Sequence, residues 1–169
     1  MAEVAREVVP WRRRILQAAA MVLAAGLVAV ATLLLLKLND ANADEDSRQS
    51  ALQVARQVAV DLTTVSKDTA QQDVNRLMGA ATGSFKDQFA QQADVFRKVV
   101  QQASVTSRGT VAEAGVSSVD GDTVTVLAAV SATVQNADAP TGEQRQYRMK
   151  MQLHHEGDRW LVSDLEFVP

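Results

Sequence analysis

Two adjacent histidines, His154 and His155, a single tyrosine, Tyr147, and scattered carboxylates are the side chains here able to hold a metal ion or move a proton near neutral pH. Neighbouring side chains on a strand project to opposite faces, so the two imidazoles do not converge on one ion. His155 would share the Tyr147 face near a hairpin end. A proton-transfer site would need a carboxylate base facing a hydroxyl or acid donor across an apolar cavity. Tyr147 offers the hydroxyl and Asp94, on an aromatic-rich helix, is the candidate base, although a solvated helix carboxylate is the plainer role for Asp94. The acidic group Asp40, Asp44, Glu45 and Asp46 lacks the turn glycine and terminal glutamate of a dedicated calcium loop, and reads as a solvated linker. The chain has no cysteine, which removes thiol nucleophiles, thiolate metal sites and disulfides. Phosphate-loop, dinucleotide-fingerprint, nucleophile-elbow and HExxH patterns are missing as well. The sequence therefore designates no catalytic residue, no metal and no cofactor.

Composition explains why binding is the better place to look. Among 169 residues, 17 basic side chains stand against 20 acidic ones, a net charge of −3. That leaves no basic excess to neutralise a phosphate backbone, so nucleic acid is not an expected ligand. The charges are unevenly placed. Residues 1–14 hold four arginines against two glutamates, residues 15–36 hold none, and the remainder is acidic.

The uncharged stretch from Ile15 to Leu36 would span roughly 33 Å as a helix, enough to cross a hydrocarbon core. Its eleven Ile, Leu and Val residues contribute about −3 to −7 kcal/mol of insertion energy. Gln17 is the one strongly polar residue, and it lies near an end. Arg12, Arg13 and Arg14 flank the amino end, with Trp11 at headgroup level, whereas Lys37 is soon followed by acidic residues, so the amino terminus should stay in the cytoplasm. The bilayer is thus an expected partner, with Trp11, Arg12, Arg13, Arg14 and Lys37 as its anchor residues. Ala41-Asn42-Ala43 fits the small-x-small rule for signal peptidase, yet the apolar stretch exceeds the 7 to 15 residues usual in a cleaved signal. The expected organisation is a cytoplasmic tail over 1–14, a membrane helix over 15–36, a juxtamembrane linker over 37–50 and an extracytoplasmic domain over 51–169.

Within that domain, Leu52, Ala55, Val58, Ala59, Leu62 and Val65 recur at helical steps and predict an amphipathic helix from about 47 to 64. Thr69 with Gln72 reads as a capping box for a second helix, with Gly83 ending it. Ser84 would cap a third, whose apolar face carries Phe85, Phe89, Phe96 and Val100. After Ser104 the period shifts to two and predicts strands at about 105–119, 123–135, 145–155 and 159–168. Asp120-Gly121-Asp122 and Glu156-Gly157-Asp158 read as hairpin turns. The expected class is α+β, three helices covering one face of a curved four-stranded antiparallel sheet. Phe85, Phe89, Phe96, Tyr147 and Met149 would line the interior of that cone.

Three stretches carry a family resemblance: VARQVAVDLTT (Val54 to Thr64), DVNRLMGAATGSFKDQF (Asp73 to Phe89) and WLVSDLEFV (Trp160 to Val168). They resemble the actinobacterial Mce-associated membrane proteins, as does the order of basic tail, single span, helices and terminal sheet. The resemblance implies an extracytoplasmic domain like nuclear transport factor 2 and the VirB8 conjugation assembly proteins. It also implies association with Mce and permease subunits of a complex importing lipids or sterols. The expected function is a non-enzymatic accessory membrane protein that stabilises such a complex, placed in the plasma membrane with its carboxyl-terminal domain outside the cytoplasm. The competing expectations are a tethered small-ligand carrier or enzyme using the cone's interior, and a VirB8-like secretion assembly factor. Contact surfaces would be the span, the polar face of the first helix and the sheet edges. Self-association is left open.

Overall fold

The helical segment over residues 45–63, α1, sets small side chains on its sheet-facing side: Ala51, Ala55 and Ala59 are fully buried and Val58 nearly so. Alanines at this spacing let the helix axis approach the sheet closely. These residues belong to a computed structural model that describes residues 45–169. The tail over 1–14, the span over 15–36, the anchor residues Trp11, Arg12, Arg13, Arg14 and Lys37, and linker residues 37–44 lie outside the described residues. Among the described residues, no helix is long and apolar enough to cross a membrane.

A two-residue strand, β1 (Val65–Ser66), follows, then α2 (Ala70–Gly79), α3 (Gly83–Gln102), β2 (Thr106–Asp120), β3 (Thr123–Gln135), β4 (Glu143–Glu156) and β5 (Arg159–Phe167). All strand pairs are antiparallel, in the order β1-β2-β3-β4-β5. The sheet therefore has five strands rather than the four expected. Val65 and Ser66 pair with Ser107 and Thr106, and two residues are too few to show a period of their own.

Gly121 and Gly157 take φ of +54° and +65° in the two tight hairpins, the conformation their position requires. Alternation then sorts the side chains. Ala114, Val124, Val126, Ala128, Val130, Met149, Met151 and Leu153 are buried on the inner face against α1, Leu77 of α2 and Phe85 of α3. Register shifts at Val111/Glu113, Val116/Ser118 and Gln152/Leu153 mark bulges that bend the strands around this core.

The helix boundaries depart from expectation. Gly83 does not end α2, which stops at Gly79. Ala80–Thr82 runs beside β5 instead, with the Val162 N–H donating to the Ala80 carbonyl (2.9 Å) and the Thr82 N–H to the Val162 carbonyl (2.8 Å). Gly83, at φ +52°, then opens α3 so close to β5 that a Cβ there would sit 3.2 Å from the Ser163 carbonyl oxygen. The expected caps do other work. Thr69 makes no side-chain cap and its Oγ1 donates to Asp73 (2.9 Å). Ser84 lies inside α3 and donates to the Ser163 carbonyl (3.0 Å).

Candidate functional site

The aromatic face of α3 forms a ladder, with ring centroids 6.0 Å apart from Phe85 to Phe89 and again from Phe89 to Phe96. Phe85, Phe89, Tyr147 and Met149 join the main core, whereas Phe96 packs in a smaller cluster with Val65, Ala70 and Val100. The five residues expected inside the cone are thus divided between two clusters. Around them Leu77, Met149, Met151, Leu153, Val126 and Val162 are fully buried and occupy the volume between helices and sheet. Of the five, Tyr147 borders a groove of about 570 Å³ and Met149 one of about 410 Å³, the first shared with Val130, Arg148 and Pro169; a further groove forms where elements meet at the surface.

One groove of about 450 Å³ lies between α1 and the β4–β5 hairpin, bordered by Gln53, Gln57, Arg159 and Trp160. Trp160 is buried and its ring lies 4.9 Å from that of His155, the planes tilted by 54°. His154, on the other face, approaches Thr123 Oγ1 at 3.4 Å. Alternation separates the imidazoles as expected. Asp94 is exposed and pairs with Arg97 (2.9 Å), whose other nitrogen donates to Gln71. Tyr147 packs against Phe167 of the adjacent strand, ring centroids 5.9 Å apart and planes tilted by 59°. Asp94 and Tyr147 thus face different partners. No group of three or more metal-ligating side chains occurs among the described residues.

The densest polar cluster involves residues that the sequence patterns did not single out. Asp73 is 2% exposed and Asp61 7%. Arg76 bridges them, its Nη2 donating to Asp73 (2.6 Å) and its Nε to Asp61 (3.0 Å). Gln57 donates to Asp61, and Thr69 Oγ1 and the Ser66 N–H donate to the second Asp73 oxygen. The Asp73 hydrogen bond leads in holding the Arg76 guanidinium pKa above its ordinary value, with Asp61 adding to it and partial burial opposing. This arrangement ties α1, β1 and α2 together. It has the features of a structural clamp, since every carboxylate is matched by donors. The three-residue step from Asp73 to Arg76 was visible in the sequence; Asp61, on another helix, was not.

Arg56 of α1 reaches across to donate to the Ala114 carbonyl on β2 (2.9 Å). On the sheet's outer face a groove of about 410 Å³ is lined by Gly115, Leu127, Ala129, Arg148 and Val168, and Leu127 is 46% exposed.

Comparison with known proteins adds the following. Residues 13–169 match the family described as "Uncharacterized protein Rv1363c/MT1408-like". A protein of Mycobacterium tuberculosis, "Uncharacterized protein Rv1363c", is 31% identical over 94% of this chain, which spans 65% of that relative's length. Among solved structures, an IcmL-like type IV secretion system protein of Legionella pneumophila aligns with a TM-score of 0.59 at 12% identity, over 72% of this chain and 92% of its own. The periplasmic domain of DotI gives 0.58 at 16%, over 70% and 92%. CagV, a VirB8 homologue of a Helicobacter pylori type IV secretion system, gives 0.56 at 10%, over 70% and 96%. At these identities the likeness is one of fold: an α+β domain of the VirB8 and nuclear transport factor 2 type.

Proposed function

Because the chain belongs to the Rv1363c/MT1408-like family and carries a VirB8-like domain, we propose that it is a non-catalytic assembly module of an envelope protein complex. The observation that carries this reading is the packing between helices and sheet: Met149, Met151 and Leu153 of β4 and Leu77 of α2 are fully buried against one another, and the groove of about 570 Å³ that Tyr147 borders is partly open to solvent and shared with Arg148 and the carboxyl-terminal Val168 and Pro169. The surface, in contrast, offers open apolar grooves. In this reading the segment over 15–36 tethers the domain to the plasma membrane and holds it outside the cytoplasm, with Trp11, Arg12, Arg13, Arg14 and Lys37 at the bilayer surfaces.

The complex is of the Mce type, in keeping with the stretches from Val54 to Thr64, Asp73 to Phe89 and Trp160 to Val168. Its partners are Mce and permease subunits of a lipid importer. The likeness to secretion-system proteins favours a second reading in which a secretion channel is the partner. Extraction of native membranes in a mild detergent, affinity capture of the full chain and mass spectrometry decide between them. Near-stoichiometric Mce and permease subunits are the expected result, and a secretion ATPase with channel subunits would favour the second reading. Recovery of neither set, with the tagged protein intact and membrane-bound, overturns the assembly role.

A further inference from the structure

The two edges of the sheet are finished differently. On β2 the outward main chain is already served: β1 pairs with Thr106 and Ser107, the Gly109 N–H donates to Thr64 Oγ1, Arg56 donates to the Ala114 carbonyl, and two bulges bend the strand. Bulged and occupied edges resist strand addition. On β5 the cover stops halfway. Ala80–Thr82 bonds to Val162, and Ser84 of α3 reaches the Ser163 carbonyl and the Asp164 carboxylate.

Beyond Asp164 this edge is open. The Val168 N–H donates to the Arg148 carbonyl at 2.9 Å, so Val168 turns its main chain toward β4, and antiparallel alternation turns Glu166 the same way. Leu165 and Phe167 therefore direct their N–H and C=O groups away from the sheet, and no described residue bonds to them from that side. Phe167 is 60% exposed, more than any other large apolar side chain among the described residues. On the opposite face of the strand stand Asp164 and Glu166. Lys150 pairs with Glu166 at 3.5 Å, whereas Asp164 has the Ser84 hydroxyl and no cation among the described residues.

We infer that this half of β5 receives an extended segment of a partner protein as a further strand, one that alternates aliphatic with basic side chains. The inference rests on the assembly role proposed above and gives it a docking surface. The outward groups of Leu165 and Phe167 select an extended backbone. Residues paired with them project to the same face, where an aliphatic side chain covers Phe167 beside Tyr147. The residues between project to the face of Asp164 and Glu166, where lysine or arginine meets two acids that share one lysine. A second copy joined edge to edge would set these acids against themselves, and the chain's own segment over 37–44 would bring Asp40 and Asp44 to them.

The test uses the full chain in non-ionic micelles and a peptide of about ten residues alternating valine and lysine, long enough to overlap the open half-strand. Binding is read by residue-resolved amide hydrogen exchange, with folding checked by circular dichroism. Saturating peptide should slow exchange at Leu165 and Phe167 at least about tenfold and leave the amides of β2 unchanged. A peptide alternating valine and glutamate should bind about tenfold more weakly, and one N-methylated on the amides that face β5 should not bind. Phe167→Ser removes the ring and should weaken binding about threefold to tenfold. Phe167→Pro also removes an outward N–H while sparing those of Glu166 and Val168, and should weaken it about fivefold further. Affinity capture from native membranes then reads the natural partner: Phe167→Pro, folded and membrane-bound, should lose at least one subunit that the original chain retains. Retention of the full set by Phe167→Pro, no binding of the valine and lysine peptide, or its binding without protection of Leu165 and Phe167 overturns the inference and leaves the assembly role standing. Protection of those amides in a dimer with no peptide added overturns it in favour of a second copy. Capture of no envelope subunit by the original chain overturns the assembly role, and this docking surface with it.

Discussion

Gly109→Ala tests how α1 is seated on the sheet. A Cβ at position 109 would lie 1.9 Å from Thr63 Oγ1, 2.6 Å from Thr63 Cβ and 3.3 Å from the Thr63 carbonyl carbon. The hydroxyl is not free to swing away, since it donates to the Ala59 carbonyl at 2.7 Å. Nor can the backbone yield easily, because Ser107 Oγ donates to the Thr63 carbonyl (2.7 Å) and the Gly109 N–H to Thr64 Oγ1 (3.0 Å). Relief requires lifting the end of α1 from β2. Overpacking of this kind costs about 1 to 3 kcal/mol, and one weakened hydrogen bond adds about 1 kcal/mol. The reduced entropy of the unfolded chain returns about 0.4 to 1 kcal/mol. The net is a loss of about 1 to 3.6 kcal/mol, or a fall in Tm of roughly 4 to 14 °C at the unfolding entropy usual for a domain of this size. Thermal unfolding followed by circular dichroism on the full chain in micelles measures it. Gly79→Ala is the control, because a Cβ there meets nothing within 4 Å, and it should leave Tm unchanged or slightly raised. Adding Thr63→Ala to Gly109→Ala should cost less than the two separate losses combined, since the closest clash is gone. A Gly109→Ala variant as stable as the Gly79→Ala control would refute the close approach of α1 to β2.

Arg76→Ala leaves Asp73 and Asp61 without their cation, and should cost about 1 to 2 kcal/mol, less than a fully buried pair because the Arg76 side chain is 47% exposed; urea unfolding measures it. The sign of its pH dependence follows from a cation whose pKa is raised on folding: the contribution is complete below the unfolded value and is lost only as pH climbs through the folded one. The stability gap between the original protein and Arg76→Ala should therefore stay constant between about pH 6 and 9, where the guanidinium remains charged in both folded and unfolded chains, and a gap that closes over that range would contradict the clamp. Leu77→Ala, at a position with no exposed surface, should cost about 2 to 5 kcal/mol by the same assay, and a loss below 1 kcal/mol would mean that α2 does not anchor the core.

Much of the sheet was legible because its signals are local. The alternation Val124, Val126, Ala128, Val130 and the glycine turns at 121 and 157 fix strand, face and register within a few residues of each other. The fifth strand was not legible. Val65 and Ser66 become a strand because Lys67 donates to the Val105 carbonyl and Ser107 holds the end of α1, contacts that join residues some forty positions apart. The break between α2 and α3 shows the same limit. The stretch Gly79-Ala80-Ala81-Thr82-Gly83 offers two glycines, and local rules favour either as a terminus. The choice is made by Val162, on the last strand, whose backbone takes both hydrogen bonds of the intervening residues.

The same distinction applies to candidate sites. Residue types with obvious chemistry, His154, His155, Asp94 and Tyr147, are separated by alternation or by the elements that carry them, so their reactivity never combines. The groups that do combine are chemically ordinary. Asp61, Asp73 and Arg76 form a clamp whose strongest consequence is mechanical: it ties α1 to β1 and α2 at one end while Arg56 and Thr63 tie it to β2. A helix held on two sides has little freedom to tilt against its sheet, so a force arriving along α1 would move the domain as one body instead of opening its core. That rigidity suits a module that positions partners, and it would be a poor property for a carrier that must part its helices from its sheet to admit a ligand.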